Sequence, residues 1–138
     1  MRKRTKAREY VLQMLYQVDI TQGPWQEILK SFWENSDLKE TSEELKEFSA
    51  QLLQGVVDHM REIDEKISKY AANWQLERMA FVDRNIMRLG CFELLFRQDI
   101  PPKVAINEAV ELAKKYSGLE SGKFVNAILD QVKIEKEK

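Results

Sequence analysis

The chain has 138 residues, 43% apolar and 33% charged, with a net charge of −1. Those values are typical of a soluble globular protein of one domain, which at this length buries roughly two thirds of its unfolded surface, and no apolar run approaches the length of a membrane span. Cys91 and His59 are the only residues of their kinds, which excludes an intramolecular disulfide and a zinc site built from this chain's Cys and His alone.

The charge is unevenly spread. Arg2, Lys3, Arg4, Lys6 and Arg8 stand ahead of the first carboxylate, Glu9, on a chain that is otherwise acidic. A basic arm of about residues 1–8 on an acidic body points to a polyanion, most often nucleic acid, ahead of a merely solubilising terminus. It is not a signal peptide, because Glu9, Gln13, Gln17 and Asp19 interrupt what would be the apolar stretch. With a lone unpaired cysteine, the expected location is the cytoplasm.

Apolar residues recur at helical spacing almost throughout. Ala7, Val11, Met14/Leu15 and Val18 predict a first helix that begins inside the arm, with cations at the dipole end that disfavours them. Gly23-Pro24 stops it, and Pro24 opens a second helix with Ile28, Leu29, Phe32 and Trp33 as its apolar face. Residues 35–40 read as a polar loop, and Thr41 with Glu44 has the spacing of a capping box. Leu45, Phe48, Leu52, Val56, Ile63 and Ile67 follow as one long helix or as two broken near residues 59–61.

Residues 71–77 read as a turn holding Trp74. Met79, Val82, Ile86, Leu89, Phe92 and Phe96 predict a densely apolar, central helix, in which Cys91 is a buried small hydrophobe. After the Pro101-Pro102 loop, Ile106, Ala109/Val110, Ala113 and Tyr116 mark a helix ended by Gly118. Ser121 is the expected cap of the last helix, with Val125, Ile128, Leu129 and Val132 facing inward and a frayed charged tail over about residues 133–138. The expectation is an all-α, compact single-domain bundle of about seven helices over residues 1–138.

No pattern of catalysis, metal binding or cofactor binding is present: no Gly-rich phosphate loop, EF-hand or HExxH, and no partner that would make His59 a base. The chain is expected not to be an enzyme. Phe124 lies one position off the Val125/Ile128/Leu129 stripe, flanked by Lys123 and near Asn126, while Lys114 and Lys115 precede Tyr116. Aromatics beside cations and amides suit single-stranded nucleic acid, the ring stacking on a base and the cations taking phosphates. Completing the edge of the core is the competing role for Phe124 and Tyr116, and by these residues alone it has the slight advantage.

Four segments carry a family resemblance. They are the arm running into Ala7-Arg8-Glu9 and Leu12-x-x-Leu15-Tyr16; Asp83-Arg84-Asn85-Ile86-Met87-Arg88-Leu89; Phe92-Glu93-Leu94; and Val104-Ala105-Ile106-Asn107-Glu108-Ala109 through Lys123-Phe124-Val125-Asn126. In this order the chain resembles the NusB family of bacterial transcription antitermination factors. The resemblance implies an all-helical protein without catalysis or cofactor. It implies binding of the single-stranded boxA element of nascent, chiefly ribosomal, RNA as a heterodimer with NusE, a small-subunit ribosomal protein. It further implies entry into the RNA polymerase antitermination complex, which passes premature terminators, and a free state that is a monomer or a homodimer.

Carried over by position, Arg2, Lys3, Arg4, Lys6 and Arg8 would contact RNA, with Tyr116, Lys123 and Phe124 completing the RNA surface. Asp83, Glu120 and Phe124 would face NusE. The chain departs from its relatives at Glu120, where they have aspartate, at Tyr116, where phenylalanine is frequent, and at Gly122. The alternative from another class is a helical adaptor whose arm binds an acidic protein.

Overall fold

Local sequence explains most of the helices in the computed structural model, which describes residues 3–35, 42–71 and 79–138. Seven helices occupy the described residues: α1 (Lys3–Thr21), α2 (Trp25–Glu34), α3 (Glu43–Asp58), α4 (Met60–Tyr70), α5 (Phe81–Phe96), α6 (Pro102–Tyr116) and α7 (Leu119–Glu137). No strand occurs among them. Arg2, Thr41 and the Trp74 turn lie outside the described residues. The chain divides into two units, Met1–Asp58 and His59–Lys138.

In the first unit α1 begins inside the basic arm, as its apolar spacing requires. Ala7, Val11, Met14 and Leu15 are buried. Tyr10 joins α1 to α2 through Phe32 and Trp33, with ring centroids 5.6 and 5.7 Å away. The helix ends at Thr21, two residues before Gly23. Gln22 itself takes a left-handed φ of 56°, with its amide donating to the Asp19 carbonyl at 2.8 Å. At the start of α3 the Ser42 hydroxyl accepts the Leu45 N–H at 3.2 Å. Leu45, Phe48, Leu52, Leu53 and Val56 are the buried apolar side chains of α3.

The long helical pattern is two helices, with His59 between α3 and α4. In the second unit α5 is buried without interruption from Asn85 to Leu94 and packs against α4, α6 and α7. Gly90 allows the closest approach. A Cβ there would lie 2.7 Å from Leu129 Cδ1 and 3.1 Å from Ala109 Cβ, so α6 and α7 both depend on its absence. Cys91 is fully buried, and burial pushes its thiol up to about 12, which leaves it unreactive. The segment Asp83–Leu89 that carried part of the resemblance therefore serves packing: Asn85 and Arg88 are buried, and Arg88 makes two bonds to Asp64 of α4.

One expectation for the last helix is corrected. Ser121 is not its cap, because α7 starts at Leu119 behind Gly118. The helix runs on through residues 133–137, where Glu135 is tied to α4 by Lys69 Nζ at 2.6 Å and Lys66 Nζ at 3.2 Å. The Lys69 hydrogen bond is the main cause that holds the Glu135 carboxyl at about 2, down from an ordinary 4.5. A carboxylate with a lowered folded pKa stabilises above its unfolded value and loses that contribution as pH falls toward the folded one. Glu135→Gln is therefore expected to flatten the acid limb of stability between pH 4.5 and 2, read as the urea midpoint against pH.

Candidate nucleic-acid interface

Two surfaces hold the residues singled out in the sequence, one in each unit. In the first, the arm is the opening of α1. Lys3 is exposed and lies 3.7 Å from Glu44 of α3, with side chains 62% and 79% accessible. Such an open ion pair is weak and yields readily to a phosphate. The Arg4 guanidinium stands 4.4 Å from the centre of the Phe48 ring. Lys6 reaches Glu9 at 3.4 Å and lies over Tyr10 at 5.4 Å. Lys3, Arg4, Glu44, Leu45, Glu47, Phe48 and Gln51 line a shallow cleft beside them.

Arg8 differs from the expectation. It is only 3% exposed and its guanidinium lies 5.6 Å from the Phe48 ring centre. It belongs to the packing of α1 on α3, because residue 8 falls on the same helical face as Ala7, Val11 and Leu15 turned toward Phe48. Its cation is not presented at the surface.

In the second unit the site is the junction of α6 and α7. Only Ser117 and Gly118 separate the helices, and both donate to the Ala113 carbonyl, at 2.8 and 2.9 Å. Gly118 has φ +114°, a conformation that side-chain-bearing residues rarely adopt, so this tight reversal requires glycine. The reversal brings the end of α6 against the start of α7. Tyr116 is 45% exposed, with Lys115 Nζ 5.3 Å from its ring centre. Lys123 is exposed and lies 3.5 Å from Glu120. Phe124 is half-buried, with Val125 beneath it fully buried.

Asp83 in the first turn of α5 is tied to this junction. Its Oδ2 accepts the Ser121 hydroxyl at 3.3 Å. That bond is the work Ser121 does instead of capping. Asp83 Oδ1 is buried and accepts no hydrogen bond among the described residues.

Exposed apolar side chains near these positions were not anticipated. Leu119 is 69% and Phe81 38% accessible in the second unit, and Tyr16 is 48% and Ile20 52% accessible on α1 in the first. The signal for Tyr16 and Ile20 was present: they are four residues apart, opposite the buried stripe. Leu119 had none, because its place depends on where α7 begins. Among the described residues no three His, Cys, Asp or Glu are grouped to hold a metal ion, and no helix is long and apolar enough to cross a membrane.

Comparison with known proteins agrees in sequence and in fold. The family model described as the NusB family matches residues 5–133. A transcription antitermination protein NusB from Thermodesulfovibrio yellowstonii is 46% identical over 138 residues, covering 94% of this chain and 91% of that protein. The solved structure of T. maritima NusB superposes with a TM-score of 0.86 at 38% identity, covering 96% of this chain and 91% of that one. A crystal structure of antitermination factors NusB and NusE in complex with dsRNA matches with a TM-score of 0.86 at 32% identity, covering 98% of each chain.

Proposed function

Because this chain belongs to the NusB family, we propose that it is a transcription antitermination factor that binds single-stranded boxA RNA together with NusE. The pair joins the RNA polymerase antitermination complex in the cytoplasm and carries nascent, chiefly ribosomal, transcripts past premature terminators. The whole chain acts as one RNA-binding domain and does no chemistry on its ligand. The observation that carries the reading is the α6–α7 junction, where the ring of Tyr116 and the partly open ring of Phe124 stand among Lys115 and Lys123. Exposed rings stack on unpaired bases, whereas a duplex hides its base faces.

Arg2, Lys3, Arg4, Lys6 and Lys123 take phosphates in this reading, Arg2 by its place in the sequence. Arg8 supports the arm from beneath. Five such contacts give a slope of log affinity against log salt of about −3.5, at roughly −0.7 per contact on a single strand. Asp83, Glu120 and Phe124, with exposed Phe81 and Leu119, supply the mixed polar and apolar surface that a protein partner such as NusE needs. Sedimentation at increasing concentration distinguishes a monomer from a homodimer when NusE is absent.

The decisive experiment is binding of labelled boxA RNA, with and without NusE, beside a scrambled strand and a boxA duplex. Selective binding of the boxA strand that tightens with NusE is expected. Equal binding of all three RNAs, unchanged by NusE, would reduce the surface to a polyanion patch and favour the adaptor.

Glu120 offers a second check. Its carboxylate occupies Lys123 and adds a negative charge beside the phosphate path. Glu120→Gln is expected to tighten RNA binding about threefold at low salt, and the gain should vanish at high salt, where exposed charges are screened. A gain that persists at high salt would contradict this electrostatic origin.

A further inference from the structure

Gly122 is buried although it lies in the first turn of α7 among exposed neighbours. What covers it is the stem of Lys114, from α6. A Cβ on residue 122 would lie 2.9 Å from Lys114 Cγ and 3.6 Å from Lys114 Cε, with the Val110 carbonyl oxygen also at 3.6 Å. The first distance is closer than carbon atoms pack, so the aliphatic stem occupies space that any side chain at 122 would take. The far end stays in water: the Lys114 side chain is 44% accessible, and among the described residues its ammonium has a long 3.4 Å contact to Glu111, itself 69% accessible. A lysine whose stem is laid in a groove while its head remains open has lost part of its rotamer freedom before any ligand arrives. The groove is in the backbone that carries Lys123 and Phe124 as its next two residues.

We propose that Lys114 is a further phosphate-binding residue of the RNA surface and that Gly122 is its positioning residue, holding the stem against the start of α7. The proposal rests on the RNA-binding reading above. It adds a cation that the sequence placed on a different helix. It also gives Gly122, a departure from the family pattern, a specific role: a larger residue there turns Lys114 away.

The test is RNA affinity against salt for the full chain with NusE, in the wild type, Lys114→Gln, Lys114→Arg, Gly122→Ala and the double variant Lys114→Gln/Gly122→Ala. Loss of one phosphate contact should make the slope shallower by roughly 0.7 in Lys114→Gln. Affinity should fall several-fold there and be retained in Lys114→Arg. Gly122→Ala should lose affinity and slope in the same direction, and the double variant should bind no worse than Lys114→Gln alone. A wild-type slope in Lys114→Gln, or losses that simply add in the double variant, would overturn the proposal while RNA binding stands. Failure of the wild type to bind RNA would instead bring down the underlying reading, and this one with it. Thermal unfolding of each variant separates these outcomes from loss of fold, because neither change alters the slope through stability.

Discussion

Replacing Asp64 with alanine is expected to cost the His59–Lys138 unit about 3 kcal/mol. Arg88 is the reason. Its side chain is 8% accessible, its Nε donates to Asp64 Oδ1 at 2.8 Å and its Nη2 to Oδ2 at 2.9 Å. Nη1 donates to the buried Asn85 Oδ1 at 3.1 Å. Removing the carboxylate takes two charge-assisted hydrogen bonds from a guanidinium held inside the protein, whereas the intact pair contributes little net stability against an apolar pair of the same shape. Asp64 is 26% accessible, so water replaces part of what is lost and the effect falls at the lower end of the range for buried pairs.

Three variants resolve the contributions. Asp64→Asn keeps an acceptor and should lose about half as much. Arg88→Met with Asp64→Leu should recover most of the loss, because no charge is left buried. Urea unfolding reads all three as a shift of midpoint at constant slope. A loss below about 1 kcal/mol in Asp64→Ala would show that the pair behaves as a surface contact.

Replacing Phe124 with alanine is expected to weaken boxA binding by about 1–3 kcal/mol, the range measured for one base stacked on one aromatic ring. That corresponds to roughly five- to 150-fold in affinity. The salt slope should not change, since no charge is removed. Phe124→Trp should bind at least as well as the wild type. These outcomes separate stacking from packing. If the half-buried ring only seals the edge of α7 over Val125, Phe124→Ala lowers the unfolding midpoint and leaves RNA affinity at a saturating fraction of folded protein unchanged. Lys123→Gln has the opposite signature, a shallower slope with no loss of stability, because its side chain is 76% accessible.

Helix position and type were legible because they depend on spacing within one segment. Val125, Ile128, Leu129 and Val132 recur at helical period, and all four are buried in α7. The same holds for the start of α1 inside the arm and for α5, whose apolar residues Ile86, Leu89 and Phe92 recur at helical spacing and are buried. Helix ends were less legible, since they depend on which of several adjacent capping residues wins. At α3 the Leu45 N–H is taken by Ser42, a residue without an apolar period to mark it. Ser121 is a good cap by type, but the glycine turn three residues earlier had already started α7, so its hydroxyl reached Asp83 instead.

The sequence by itself determined an all-helical chain, a cation-rich opening, the family and the candidate residues at the two ends of it. Local periodicity, charge order and motif spacing are properties of neighbours along the chain, and they survive without coordinates. Only the tertiary structure decided which of those residues lie at a surface. Arg8 is withdrawn from it because Phe48, in another helix, lies beneath its guanidinium. Lys114 is added to it because Gly122 leaves room for its stem. Asp83 is tied to the site by Ser121, 38 residues away. Burial and charge pairing depend on what packs across from a residue, and that partner is set by the close approach of helices at positions such as Gly90, not by the order of residues around it.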